Sequence, residues 1–225
     1  MLYILDTADL NAIRHANEFY PIVGVTTNPS IIAKEKTDFV ALLKAIREII
    51  GPDKMLHVQT TATVAEEIVK EARMLKDLIG ENFYVKIPIG EEGLKATMIL
   101  SKEGIGVTMT AIFTPQQALL AAKAGADFVA PYVNRLDNVG SDGIKVVDEI
   151  VTQFELFDLP CQVLAASFKN VQQVQDAALC GCHSVTVAPD VLYNLVKHPL
   201  TDVAVDLFDK DWKAVYGEKS VADLL

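Results

Sequence analysis

Lys86 stands in the run Phe83-Tyr84-Val85-Lys86-Ile87-Pro88, a lysine inside an otherwise apolar segment. A free lysine amine has a pKa of about 10.4 and is protonated at neutral pH; desolvation disfavours the charged form and lowers that value by up to several units. A neutral amine attacks a ketone carbonyl, and the resulting iminium withdraws electrons from the neighbouring carbon–carbon bond, which can then break or form. The ordinary alternative is a strand-end lysine whose stem packs while its head reaches water. Position alone leaves both readings open.

Other polar residues close short β-prone runs in the same way: Asp6, Thr26-Thr27-Asn28, Gln59-Thr60, Thr108 with Thr110, Tyr132-Val133-Asn134-Arg135 and Ser167-Phe168-Lys169. Asp6 either holds a substrate hydroxyl or the lysine, or simply caps the first helix. Asn28, with Thr27 beside it, either hydrogen-bonds a substrate hydroxyl or turns the chain before Pro29, which suits a first helical position. Gln59, Thr110 and Tyr132 supply groups that hold one water and relay protons, although a strand-end tyrosine is also an ordinary packing residue. Arg135, with Ser167 and Lys169, offers a bidentate fork and a point charge to a phosphate; the plain alternative is a surface ion pair of Arg135 with Asp137.

Positioning these groups at one place requires a particular scaffold. Strand-like runs recur at Leu2–Leu5, Ile22–Val25, Met55–Gln59, Phe83–Ile87, Gly106–Met109, Asp127–Ala130, Cys161–Ala165 and Ser184–Val187, with helical patterns between them. Several are continuously apolar, as a parallel sheet covered by helices demands. Gly51, Gly80, Gly104, Gly125 and Gly181 each fall between a helical pattern and the next strand, and Pro21 and Pro160 punctuate two further junctions. Two segments, Ala121 to Gly125 and Ala177 to Gly181, repeat one helix-to-glycine pattern leading to Val-Ala-Pro.

Eight strands alternating with helices fit an open doubly wound sheet or a closed barrel. No Gly-x-Gly-x-x-Gly follows the first strand, and Asp6-Thr7-Ala8-Asp9 puts acid where a pyrophosphate would sit. The expectation is therefore a single (β/α)8 TIM barrel over residues 1–225, with 202–225 an amphipathic helical extension carrying Phe208, Trp212 and Tyr216. In such a barrel the loops after the strands share one mouth, which brings the residues named above together.

Composition narrows the partners. With 20 Lys and Arg against 30 Asp and Glu, the net charge is -10 and nucleic acid is not expected. No export signal or membrane span is visible, and three cysteines, Cys161, Cys180 and Cys182, form neither a disulfide framework nor a redox pair, which suits a reduced, cytoplasmic protein. His15, His57, His183 and His198 lack the spacing of a metal site and read as structural or surface residues; no metal is assigned.

The strings Leu5-Asp6-Thr7, Gly24-Val25-Thr26-Thr27-Asn28-Pro29-Ser30-Ile31-Ile32-Ala33, Val85-Lys86-Ile87-Pro88, Ala130-Pro131-Tyr132-Val133-Asn134-Arg135 and Ala165-Ala166-Ser167-Phe168-Lys169 resemble the small transaldolase family, within it the fructose-6-phosphate aldolase branch. The similarity runs from Leu2 through Trp212. It implies a cofactor-free, metal-independent barrel with Lys86 as the Schiff-base lysine. Asp6, Asn28, Thr110 and Ser167 fall on family active-site positions, and Arg135, Ser167 and Lys169 match its phosphate-binding region. It also implies a pentamer or decamer in which the C-terminal helix packs across subunits. True transaldolases of the family carry glutamate where this chain has Gln59, Asn-x-Thr where it has Thr108-Met109-Thr110, and usually phenylalanine at Tyr132. The three differences point to reversible cleavage of fructose 6-phosphate into dihydroxyacetone and glyceraldehyde 3-phosphate. The alternatives are transfer of a dihydroxyacetone unit from sedoheptulose 7-phosphate to glyceraldehyde 3-phosphate and a non-catalytic barrel that binds sugar phosphates.

Overall fold

The computed structural model describes all 225 residues. Eight strands, β1 (Leu2–Asp6), β2 (Ile22–Thr26), β3 (Met55–Gln59), β4 (Phe83–Pro88), β5 (Gly106–Ile112), β6 (Phe128–Pro131), β7 (Gln162–Ala165) and β8 (Ser184–Val187), pair in parallel and close in sequence order into a barrel. Between and after them run α1 (Leu10–Phe19), α2 (Pro29–Glu35), α3 (Phe39–Ile50), α4 (Ala65–Ile79), α5 (Glu91–Lys102), α6 (Pro115–Lys123), α7 (Val133–Asp137), α8 (Gly143–Leu156), α9 (Val171–Leu179), α10 (Pro189–Asn194) and α11 (Pro199–Tyr216). This is the TIM barrel expected from the alternation of elements, with the additional C-terminal helix.

All eight expected strands are present. The largest departure is β5, which runs three residues past Met109 because Ala111 adopts a left-handed φ of 57° in a bulge between Met109 and Ile112. Such a bulge bends the strand and re-aims its side chains, a feature that pattern reading does not register. The five junction glycines all have positive φ; Gly80, at 85°, ends the helix before β4 in a conformation costly for a side chain.

Alternation along each strand sorts the side chains. Ile87 packs outward against α5, where the absent Cβ of Gly93 would lie 3.2 Å from Ile87 Cγ2 and 2.3 Å from the Pro88 carbonyl oxygen. Only glycine allows that approach, which braces the end of β4. Lys86 and Tyr84 consequently face the barrel interior. The base of that interior is apolar: Ile4, Phe128 and Leu164 pack with Val23, Met55 and Tyr84. Further along the strands part of the filling is polar and remains buried, with Thr26, His57, Thr108 and Thr186 at 0%, 0%, 0% and 2% exposure.

The chain divides into two compact units, Met1–Leu192 and Tyr193–Leu225. In the second, α11 begins at Pro199, three residues before the expected start, because His198 accepts a hydrogen bond from the Leu200 amide and proline occupies the first turn. No residue of α11 is buried, and Leu200, Val203, Leu207 and Phe208 are exposed. No helix is long and apolar enough to cross a membrane.

Candidate active site

The strand ends bring three hydrogen-bonded groups of side chains to the barrel interior and its mouth. The first surrounds Lys86, which is 4% exposed. Its Nζ donates to the carbonyl oxygen of Thr27 at 3.0 Å, so the side chain starts on β4 and ends at the residue following β2, crossing β3. The Thr27 amide and hydroxyl in turn donate to the His57 carbonyl at 2.9 and 3.2 Å. Gln59 on β3 and Thr108 on β5 flank Lys86 in register. No ion pair engages Lys86; every one in the molecule lies among partly or fully exposed side chains elsewhere. The alternative of a lysine head reaching water is therefore overturned: this amine is sequestered, without a carboxylate to fix its charge.

The second group orders Asp6. Thr26 Oγ1 donates to Asp6 Oδ1 at 2.7 Å and lies 2.6 Å from Thr186 Oγ1. A carboxylate only accepts and a hydroxyl has one proton, so Thr186 must donate to Thr26 and Thr26 to Asp6. The chain of donors holds the carboxylate at the end of β1. Asp6 does not cap α1; Asp9 does, accepting from Asn11 and Ala12. The capping account of Asp6 is thus corrected, and its side chain is left for the interior.

At the third group, Thr110 Oγ1 and Tyr132 Oη lie 3.0 Å apart, and the Arg135 guanidinium sits 4.8 Å from the centre of the Tyr132 ring. Thr110 keeps regular register with Pro88 of β4, while the pairing of β5 with β6 shifts between Met109 and Ile112. Arg135 is exposed and does not pair with Asp137, which instead accepts from Gly143 N and Gln173 Nε2. The expected alternative ion pair is absent, because Asp137 is committed to tying α7 to α8 and α9.

The loop after β7 meets α7 through its backbone. Tyr132 bridges Ala166, and the Asn134 amide donates to the Ser167 carbonyl at 3.0 Å. Ser167 holds a left-handed φ of 65°, a conformation that costs a non-glycine residue about 1 kcal/mol or more and clusters at functional sites. Gln173 binds both sides, donating to Asn134 and Asp137 while accepting from the Lys169 amide. Arg135, Ser167 and Lys169 thus belong to one rim, their backbones fixed and the Arg135 and Lys169 heads exposed to solvent.

Asn28 performs the structural duty foreseen for it: its Oδ1 accepts from Ile31 N at 3.0 Å, capping α2. The same bond orients the amide, leaving Nδ2 as a donor at the rim. Gln59 is half-buried and, with Thr27 and Asn28, also borders an apolar groove of about 570 Å³ that runs outward between Ile32, Phe39, Met74 and Leu78. That groove offers little polar chemistry; the reactive groups lie in the barrel.

His57, Thr186 and Gln173 were not among the expected site residues. His57 shares a face with Gln59, two residues away, and that spacing on one strand was the available signal. Its Nδ1 lies 2.9 Å from Thr108 Oγ1, and its ring stacks on Tyr84 at 4.8 Å. Burial, aided by the nearby Lys86 charge, pushes its pKa down to about 3, so the imidazole is neutral in the ordinary pH range. Burial pushes the Cys182 thiol up to about 11 and raises the other two cysteines, in keeping with inert packing residues. Nowhere do three His, Cys, Asp or Glu side chains gather in an arrangement that could hold a metal ion.

A closed barrel with a buried, uncountered lysine amid carboxylate, hydroxyl and amide groups at the strand ends has the features of an aldolase-type enzyme. Residues 3–223 match the Transaldolase/Fructose-6-phosphate aldolase family model. The chain is 45% identical over 213 residues to a probable transaldolase of Thermoanaerobacter sp., covering 95% of this chain and 97% of that one. It is 43% identical over 218 residues to one of Clostridium acetobutylicum, covering 97% and 100%, and 42% identical over 215 residues to one of Aquifex aeolicus, covering 96% and 98%. The protein belongs to the transaldolase and fructose-6-phosphate aldolase family. Among solved structures, dihydrodipicolinate synthase from Rhodopseudomonas palustris superposes with a TM-score of 0.62 at 15% identity over 92% of this chain and 78% of that one, a likeness of fold. A mandelate oxidase variant does so at 0.59 and 14% identity, over 96% and 74%.

Proposed function

We propose that the protein is a Schiff-base aldolase that reversibly cleaves fructose 6-phosphate to dihydroxyacetone and glyceraldehyde 3-phosphate. The observation that carries this reading is the seclusion of Lys86 inside the barrel with no anionic partner. Its Nζ attacks the substrate carbonyl, the carbonyl oxygen leaves as water, and an iminium remains. A water held between Gln59, Thr110 and Tyr132 takes the proton of the C4 hydroxyl; the C3–C4 bond breaks and its electron pair passes into the iminium, giving an enamine. Glyceraldehyde 3-phosphate departs from Arg135, Ser167 and Lys169, which hold its phosphate. Proton return to C3 and addition of water to the iminium then release dihydroxyacetone and restore the amine. Asp6, with Thr27 and Asn28 alongside, holds the hydroxyls of the three-carbon fragment.

Two residues favour release over transfer. Gln59 cannot carry the negative charge of a glutamate, and the Tyr132 hydroxyl paired with Thr110 provides a second handle on water. The second reading, transfer of the three-carbon unit to another aldose phosphate, is supported by the relatives named as probable transaldolases. Product analysis separates them. Incubation with fructose 6-phosphate alone should give free dihydroxyacetone; formation of product only when an acceptor aldose phosphate is added would establish transfer instead.

The partners of this reading are small sugar phosphates and dihydroxyacetone, with no metal or organic cofactor required by the imine chemistry. We also propose a homo-oligomer, the pentamer or decamer that the family resemblance implies; the support in this chain is that α11 leaves Leu200, Val203, Leu207 and Phe208 exposed on an 18-residue helix. Light scattering should give five or ten chain masses of 24.5 kDa; a single chain mass would refute it.

A further inference from the structure

The helix α7 has five residues, too few to hold its shape alone, yet it carries Asn134 and Arg135 at the rim. Its neighbours fix it. Against α8 the fit depends on Gly143, where a Cβ would strike the Val133 carbonyl oxygen and whose amide donates to Asp137 Oδ1 at 2.9 Å. Against α9 it depends on one side chain, that of Gln173.

Gln173 is the third residue of α9, and its Oε1 accepts from the Lys169 amide at 2.8 Å. The same reach-back occurs at α6, where Gln117 Oε1 accepts from the Phe113 and Thr114 amides at 2.8 and 3.2 Å. That duty needs only an acceptor, and a glutamate performs it equally. The far side of Gln173 asks for more. Because the Lys169 amide can only donate, Oε1 must face it and Nε2 must face α7, giving its two protons to Asp137 Oδ2 at 2.6 Å and Asn134 Oδ1 at 3.4 Å. Both Asp137 oxygens are then engaged, and Arg135, two residues away, leans on the Tyr132 ring instead.

Resting on the reading of Arg135, Ser167 and Lys169 as the phosphate rim, we propose that Gln173 is a positioning residue for phosphate selectivity. It joins the two halves of the rim, α7 and the loop after β7. As an uncharged donor it also occupies the carboxylate that would otherwise compete with a phosphate for the Arg135 guanidinium. Gln173 touches no substrate itself; it acts through Arg135 and Lys169.

The test is the ratio of kcat/KM for glyceraldehyde 3-phosphate to that for glyceraldehyde, with dihydroxyacetone as donor. Gln173→Glu keeps an acceptor for the Lys169 amide and sets a second carboxylate against Asp137. The ratio should fall about fivefold, through KM for the phosphorylated aldehyde, while kcat/KM for glyceraldehyde stays within about threefold of the wild type. Adding Asp137→Asn reverses the polarity of the pair, since the new amide at 137 donates to the new carboxylate at 173, and should bring the ratio back to within about twofold of the wild type. A loss that came only from a weakened α9 would not be reversed in this way. Gln173→Met, which removes donor and acceptor together, should lower the ratio similarly and serves if Gln173→Glu does not fold. A ratio within twofold of wild type in the folded single variant, or a fall that Asp137→Asn fails to reverse, overturns the proposal. If the wild type itself shows no preference for the phosphorylated aldehyde, the reading of the rim as a phosphate site fails, and the proposal with it.

Discussion

Lys86→Met should lower kcat/KM for fructose 6-phosphate cleavage by about 10⁴-fold or more while leaving the protein folded. Methionine matches the length and flexibility of the lysine stem but cannot form an imine. The native Lys86 amine makes one hydrogen bond, to a backbone carbonyl, and no ion pair, so its removal breaks no charged network. A buried amine with a single hydrogen bond and no ion pair is a cost to the fold, and replacing it with an apolar side chain should leave the melting temperature equal or raised. Steady-state cleavage assays together with thermal unfolding check both halves. Loss of activity accompanied by loss of folding would leave the residue merely structural; retained activity in a folded variant would remove it from the chemistry.

Tyr132→Phe carries the second largest expected effect, a fall of about 10² in kcat for release of free dihydroxyacetone. The substitution deletes only the hydroxyl that meets Thr110 at 3.0 Å. The ring remains edge-on to Phe113 at 5.6 Å and under the Arg135 guanidinium, so packing and the position of Arg135 persist. A residue that serves only packing would show no loss at all. Transfer to an added aldose phosphate, which needs no water to end the cycle, should fall less than cleavage, and the transfer-to-cleavage ratio should rise. Measuring both products on the same variant checks it: equal losses in the two reactions would show that the hydroxyl does not handle the water.

The sequence exposed the barrel because its signals were local. Eight apolar runs, all but the first preceded by a glycine or proline break, specify parallel strands before any tertiary contact is considered. Lys86 was legible for the same reason: a single cation in an apolar strand has few explanations. What pattern reading passed over depends on pairing between distant segments. The polar layer of Thr26, His57, Thr108 and Thr186 arises only when β2, β3, β5 and β8 close around one axis; on the strand itself His57 reads as an isolated histidine. The commitment of Asp137 to Gln173, 36 positions away, likewise could not be foreseen from Arg135 two residues earlier. Asp6 and Asp9 illustrate the limit of short motifs, since either acid fits a helix start and only geometry assigns the cap to Asp9. The extension of β5 rests on one left-handed alanine, for which residue type gives no warning.

Nothing separates this account from its rivals more directly than chemical capture of the intermediate. Borohydride added during incubation with fructose 6-phosphate or dihydroxyacetone should reduce the iminium to a stable amine, adding a three-carbon or six-carbon fragment to the peptide that contains Lys86 and to no other, with Lys86→Met giving no adduct. An unmodified Lys86 peptide, or a fragment carried on a different lysine, would contradict it.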